Sequence, residues 1–340
     1  MAGGGYGSKV ALPVYSELEE FEPVAVWSRR PERARELAEG AGLQLGTADL
    51  DELLAFPGLE AVHVATPVVT HPAFAEAVVA RGLHLLCEKP LADNLPAARG
   101  IADAVRSAGV VAAVNYGRRF EEARLRLLQR GREVLGMPRL ASVSLVFADH
   151  ADPDSRPLTW AHDATLGGGR LQGYGVHDLD LVLELFPDVE AVAAATEVTV
   201  AQRTDDDGEL RPVSAEDTFG ILLRFRGGGL AVVSFTATAR HDRGDVIEMH
   251  GEEGTVRLDA DGRLSWGRSG EELQVEGPLS SAPQEAFKDV ARRFCAAIRS
   301  GAAPDPSLDE ALRVQAVFDA VRTADIERRW VQPEPVDVAR

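Results

Sequence analysis

The chain has 340 residues, 45% of them hydrophobic, and carries a formal net charge of −18. So acidic a balance excludes nucleic acid and an anionic membrane surface as main partners, and two cysteines, Cys87 and Cys295, make no disulfide framework. No apolar run approaches the roughly 18 residues of a membrane span and the N-terminus has no apolar signal core, so the expectation is a cytoplasmic protein, long enough for two domains.

The first third alternates short apolar runs with helical patterns. PVAVWS (23–28), AVHVATP (61–67), LHLLCEKP (83–90) and VVAAVN (110–115) read as strands. PERARELAEG (31–40), HPAFAEAVVARG (71–82) and LPAARGIADAVRSAG (95–109) read as helices, with Pro near their starts and Gly at their ends. Strands separated by helices of this size imply a parallel, doubly wound sheet, in which ligands bind beyond the carboxyl ends of the strands.

From about Leu140 the pattern changes. LASVSLVF, VEAVAAATEVTV, TFGILLRFRGGGLAVVSFTATA and VIEMHGEEGTVRL are longer runs of strand formers, and FRGGGLA marks an antiparallel hairpin. HDLDLVLELF (177–186) is an intervening helix. RTDDDGELRP (203–212) reads as a loose loop. EAFKDVARRFCAAIRS and SLDEALRVQAVFDAVRTA are closing helices. The expected architecture is α/β: a Rossmann domain over 1–118, then an α+β domain over 119–340 with a large, mostly antiparallel open sheet.

The strand ends supply the candidate chemistry. MAGGGYGSK holds Gly3-x-Gly5-x-x-Ser8, close to a pyrophosphate-binding glycine pattern in which backbone N–H groups approach phosphate. No strand precedes it, so a flexible glycine-rich tail stands as the alternative. Gly3, Gly5, Tyr6 and Ser8 are the candidate phosphate loop. After the second strand, Ser28 and Arg29 occupy the address where an NAD site carries Asp or Glu, and a hydroxyl with a guanidinium suits a 2′-phosphate. NADP(H) is therefore favoured over NAD(H), against a solvated basic turn. Thr66 and Pro67 follow the third strand, and His71 opens the next helix as either a cofactor contact or a helix-start polar residue. Glu88 and Lys89 end the fourth strand, where a partly desolvated lysine serves as acid/base and a surface ion pair is the alternative. The histidines and cysteines show no zinc-type spacing, so no metal is expected.

Taken together, GGGYGSK, ATPVVTH, EKPLA, NYGRRF, WAHDATLGGG, GYGVHDLD, SAEDTFGILLRF and HGEEGTVRL make the chain resemble the Gfo/Idh/MocA oxidoreductases over nearly its whole length. The EKP motif with a downstream GxHxxD is the specific part. The resemblance implies hydride transfer between NAD(P) and a hydroxyl or carbonyl of a sugar, cyclitol or related polyol. It implies Lys89 and His177 as the acid/base residues and Glu88 as a positioning group. It implies Asn115, Arg119, Trp160, Tyr174 and Asp180 as cleft residues, and a homodimer or homotetramer paired through the open sheet.

Two features depart from the family pattern. Many members carry an acidic residue four positions before the histidine, and here Gly173 stands there. That opens an alternative, a non-catalytic NAD(P)- or sugar-binding regulatory protein on the same fold. The central first strand is also missing from the pattern, which implies a gap in the sheet. It further implies an upstream in-frame segment encoding a Val/Ile/Leu-rich strand, with an internal Val codon read as initiator.

Overall fold

The computed structural model describes residues 1–186 and 188–336. Its first unit is built on five parallel strands, β1 (Ala25–Trp27), β2 (Leu45–Thr47), β3 (Ala61–Val64), β4 (His84–Glu88) and β5 (Ala112–Asn115), in the pairings β1–β2 and β3–β4–β5. The helices are α1 (Leu12–Glu17), α2 (Pro31–Ala41), α3 (Leu50–Leu54), α4 (His71–Ala80) and α5 (Leu95–Ala108). Leu85, Leu86 and Cys87 in β4 are all fully buried, as a parallel strand covered on both faces requires. The α5 helix begins where the Asn94 side chain accepts from the Ala97 N–H at 2.9 Å and ends at Gly109, whose φ of 66° is the left-handed cap conformation. The α2 helix runs through Gly40, its expected end, and stops at Gly42 with the same geometry.

The expected gap between β1 and β3 is not there. The Met1 carbonyl accepts from the Trp27 N–H at 2.8 Å, and the Gly3 N–H donates to the Trp27 carbonyl at 3.0 Å. On the other side, the Ala2 N–H donates to the His63 carbonyl at 2.8 Å, and the Ala65 N–H to the Ala2 carbonyl at 2.7 Å. Ala2 is thus bridged in parallel to both neighbours, and residues 1–3 hold the central position of the order β2–β1–(1–3)–β3–β4–β5. The short elements β2 and α3 carry too little pattern to be read from sequence.

The second unit carries β6 (Pro138–Val146), β7 (Val189–Glu197), β8 (Gln202–Thr204), β9 (Leu210–Pro212), β10 (Thr218–Phe225), β11 (Leu230–Thr236), β12 (Gly244–Gly251), β13 (Gly254–Leu258), β14 (Leu264–Arg268) and β15 (Gln274–Glu276). Eight of them form one sheet in the order β15-β14-β13-β12-β6-β11-β10-β7, antiparallel throughout except between β6 and β11. Period-two alternation sends Phe219, Ile221, Leu223 and Phe225 of β10 and Ala231, Val233 and Phe235 of β11 into the core. Helix α6 (Glu122–Val134) packs on β13 and β14, and α7 (Val176–Leu183) on β11. The stretch 203–212, expected to be a loose loop, is mostly the antiparallel hairpin β8–β9, turned at Asp205–Gly208. The side chain of Asp205 accepts from the backbone N–H groups of Asp207 and Glu209, which makes an acidic run into a tight turn.

Two long helices close the chain, α8 (Pro283–Ser300) and α9 (Leu308–Glu327). A single cut after residue 118 does not describe the division. The first unit comprises Met1–Phe120 and Ala282–Gln315, and the second Glu121–Ser281 with Ala316–Val336. The amphipathic face of α8, with Phe287, Val290, Ala291 and Phe294 buried, announces a helix but not which core it joins. Among the described residues no helix is long and apolar enough to cross a membrane.

Candidate functional site

In the first unit the glycine loop follows the central three residues and leads into a helical turn, Gly7–Ala11, continuous with α1. Gly3 has φ 129°, and a Cβ there would fall 2.2 Å from the Ala65 carbonyl oxygen. Only glycine fits. At Gly5 a Cβ would meet nothing within 4 Å, which leaves its backbone face open to a phosphate. Ser8 donates back to the Gly4 and Gly5 carbonyls at 2.8 and 3.0 Å and so shapes the loop. Gly7, not singled out from sequence, is the close-packing position: a Cβ there would lie 2.7 Å from Met1 Sδ and 3.1 Å from Ala65 Cβ. The residues present therefore fit a dinucleotide pyrophosphate. Gly3→Ala is expected to lower both thermal stability and nicotinamide-dinucleotide affinity, the latter tenfold or more. Gly5→Ala is expected to keep the melting temperature and weaken cofactor binding alone. Thermal unfolding and fluorescence titration separate the two, and an unchanged melting temperature for Gly3→Ala would remove the steric argument.

Ser28 follows β1, and its hydroxyl faces the loop, 3.5 Å from where a Cβ on Gly4 would sit; the Arg33 stem lies 3.9 Å from the same point. Arg29 is exposed, and Arg33 pairs with Glu36 at 3.2 Å. Past β3, Thr66 and Pro67 are half-buried, and Thr70 Oγ1 donates to Thr66 Oγ1 at 2.8 Å. His71 is the correction in this group. Its ring is 1% exposed, with Nδ1 3.1 Å from the Pro90 carbonyl oxygen and Nε2 2.9 Å from that of Thr66. Burial holds its pKa below the ordinary 6.5 against the pull of those carbonyls. It ties the loop after β3 to the loop after β4 and presents no free edge to a cofactor.

At the end of β4 a buried polar chain assembles around Glu88. Asn115 Nδ2 donates to Glu88 Oε1 at 2.7 Å, and His63 Nε2 lies 3.2 Å from the same oxygen. Tyr15 Oη lies 3.1 Å from His63 Nδ1. One tautomer satisfies all three groups, with Tyr15 donating to Nδ1 and His63 donating through Nε2. Burial alone would raise the Glu88 carboxyl, but His63, Asn115 and the Lys89 charge hold it below the ordinary 4.5, so it stays ionised. Phe287 of α8 stacks on the His63 ring, centroids 5.6 Å apart, and meets Tyr15 and Tyr6 edge-on. Burial and the Glu88 charge push the Tyr6 hydroxyl upward. Lys89 is half-buried immediately beyond this network. Arg119 is the second residue placed differently. It is buried and donates to Glu310 at 2.8 Å and Asp305 at 3.4 Å, which fastens the turn Gly117–Phe120 to the start of α9.

In the second unit His177 is the second residue of α7, buried, one turn beyond Gly173. A Cβ at Gly173 would meet nothing within 4 Å, so the space an acidic side chain would enter is open. Tyr174 is half-buried, its ring 4.9 Å from Phe235 and 5.9 Å from Phe147. Gln172 is buried, and so is Asp180, on an α7 that is buried along its whole length. Trp160 is exposed on a short turn capped by Thr159 and His162. Sequence reading missed Arg124 of α6. It is 1% exposed, with Nη2 2.9 Å from Asp178 and 3.3 Å from Asp245, and Nε 3.4 Å from Glu121. It grips the residue next to His177.

A doubly wound parallel sheet with a glycine loop at its switch point, followed by a lysine at a strand end, defines a dinucleotide-binding oxidoreductase. Comparison with known proteins makes this specific. Residues 1–116 match the model of the oxidoreductase family with an NAD-binding Rossmann fold, and residues 128–257 match the GFO/IDH/MocA C-terminal domain. The chain belongs to the Gfo/Idh/MocA family and is a dehydrogenase or reductase of that family. It is 26% identical to levoglucosan dehydrogenase of Pseudarthrobacter phenanthrenivorans over 97% of this chain and 96% of that protein. It is 30% identical to 1,5-anhydro-D-fructose reductase of Ensifer adhaerens over 69% of this chain and 67% of that protein. The solved structure of a levoglucosan dehydrogenase with NADH and L-sorbose superposes with a TM-score of 0.87 at 23% identity, covering 98% of this chain and 97% of that one.

Proposed function

We propose that this chain transfers a hydride between NADP(H) and a CH–OH or carbonyl group of a sugar, cyclitol or related polyol, with Lys89 and His177 handling the proton on the reacting oxygen. The observation that carries the reading is Lys89 itself. It follows a carboxylate kept ionised by His63 and Asn115, in the same parallel sheet as a glycine loop shaped for a pyrophosphate. The names of the relatives, a sugar dehydrogenase and a sugar reductase, support the substrate class. The nicotinamide, when bound, supplies or accepts the hydride. The chain's own residues do the rest: Gly3–Ser8 hold the phosphates, Thr66 and Pro67 border the cofactor, and Lys89 gives or takes the hydroxyl proton with His177. Holding both reactants in one geometry supplies the larger part of the acceleration. A small apolar patch on the outer face of the sheet, with Ala193, Gly220, Leu222 and Val232, supports pairing of two copies into a homodimer or homotetramer.

The test is nicotinamide absorbance with NADPH or NADP and a panel of sugars and cyclitols. Turnover on a panel member supports the reading. Tight NADPH binding without turnover on any of them would replace it with the binding-protein reading that the open space at Gly173 favours. The NADP(H) preference rests on Ser28, Arg29 and Arg33, with no carboxylate at the Ser28–Arg29 address. NADPH is expected to bind at least tenfold tighter than NADH, and Arg29→Ala to narrow that gap. Equal affinities in the unmodified protein would end the preference while leaving hydride transfer intact.

A further inference from the structure

The second unit holds a buried group of cations and hydrogen-bond donors that the chemistry above does not use. Arg203 of β8, 1% exposed, donates to two carbonyl oxygens, those of His150 at 2.7 Å and Asp152 at 3.1 Å. Arg170, at the head of the helical turn Leu171–Gly175, donates to His150 Nε2, while His150 Nδ1 lies 2.9 Å from Asp149 Oδ1. That places a neutral His150 between an arginine and a carboxylate. The His162 ring centroid is 5.7 Å from that of His150. Its Nδ1 accepts from the Thr159 N–H at 3.0 Å, which leaves the ring proton on Nε2. His162 is only 8% exposed, and its Nε2 is buried with no hydrogen-bond partner among the described residues. Burial and the charges of Arg203 and Arg170 bring its pKa down to about 4, so at neutral pH it is a single-donor ring.

The neighbouring carboxylates are occupied. Asp149 is shared with Arg156 at 3.2 Å, and Asp217 accepts from the backbone N–H groups of Thr199 and Val200 and from the hydroxyls of Thr199 and Thr218. A buried donor without an acceptor is costly, and an incoming anion relieves that cost. Arg170 also opens the π-helical turn Leu171–Gly175 that runs directly into α7 and His177. The Arg170 guanidinium lies 6.0 Å from the centre of the Tyr174 ring, and the Gly173 position beside it is open. At most about 10 Å of helical rise separates the backbone positions of Arg170 and His177, a span that an arginine side chain and a five- or six-carbon polyol bridge together. An acidic side chain at 173 would repel an anion there; glycine does not.

Resting on the oxidoreductase reading, we propose that Arg170 and His162 form an anion subsite beside His177, and that the preferred substrate is an acidic polyol whose carboxylate or phosphate they hold. The test is calorimetry on the full chain saturated with NADPH, at matched ionic strength, with D-gluconate, D-glucose 6-phosphate and neutral sorbitol as probes. At least one anion is expected to bind tenfold or more tighter than sorbitol, and the stronger of the two identifies the carboxylate or the phosphate. Arg170→Gln is expected to reduce that ratio to under threefold, and Arg170→Lys to restore part of it. Circular dichroism confirms that each variant is folded, and His162→Phe supplies a second route should Arg170→Gln unfold. Equal binding of the anions and sorbitol by the unmodified chain overturns the subsite. Turnover of neutral polyols without anion preference overturns it and leaves the oxidoreductase reading standing. Tight anion binding without turnover on any panel member leaves the subsite and overturns that reading.

Discussion

Lys89→Met is expected to lower kcat by about 10²–10⁴-fold, the usual contribution of a positioned acid/base group, while changing NADPH affinity by much less. Methionine keeps the length and packing of the stem and removes only the charge and the exchangeable protons. Lys89 follows Glu88 directly, and its charge is among the causes that hold the Glu88 carboxyl below 4.5. The sign of that shift separates stability from catalysis. A carboxyl with a depressed folded-state pKa contributes stability that is fully present above its unfolded value. That contribution is lost as pH falls through the folded value, here below about 4.5. Between pH 5 and 9 Glu88 therefore does not titrate, and any activity limb in that window belongs to other groups. Steady-state kinetics on a confirmed substrate decide the matter, and an unchanged kcat in Lys89→Met would take the proton from Lys89.

The residues that support Lys89 were less legible than the lysine. EKP announces itself because a lysine and a glutamate at the end of an apolar strand have no place in a core. His63 gives no such signal. It sits inside AVHVATP, where it reads as one polar interruption of a strand, and its partners Tyr15 and Glu88 are distant in sequence. Phe287, which stacks on it, arrives from a helix that local pattern assigns to no particular core. The parallel sheet was legible because buried strands are runs of apolar residues and helix ends carry glycine and proline. The central position is not legible because three residues make no pattern, yet five hydrogen bonds place them. Helix α6 was missed for the opposite reason. EARLRLLQRGREV has Ala123, Leu127, Leu128, Gly131 and Val134 at helical spacing and buried, but arginines between them mask the stripe, and one of those arginines is itself in the core.

Arg124→Leu is expected to destabilise the protein by on the order of 3–5 kcal/mol, because it removes the cation from a buried cluster and leaves carboxylates behind. The geometry is close: Asp178 at 2.9 Å, Asp245 at 3.3 Å and Glu121 at 3.4 Å surround a guanidinium that is 1% exposed. Asp178 follows His177 in the first turn of α7 and is fully buried. Once the partner is lost, the cheapest relief is for that turn to shift its carboxylate toward water, and His177 moves with it. The loss should therefore appear twice, as a lower denaturation midpoint and as a fall in kcat that persists at temperatures where the variant is fully folded. Replacing both partners separates the two effects. Arg124→Leu with Asp178→Leu removes one buried anion along with the cation, so part of the stability is expected to return, as for buried pairs exchanged for apolar residues. The kcat deficit should remain, since the directed contact from Arg124 to the first turn of α7 is then gone. A single variant within about 0.5 kcal/mol of the unmodified protein, the range of a neutral surface change, would show that Arg124 does not anchor α7. A double variant with full kcat would show that His177 is held by the packing of α7 on the sheet alone.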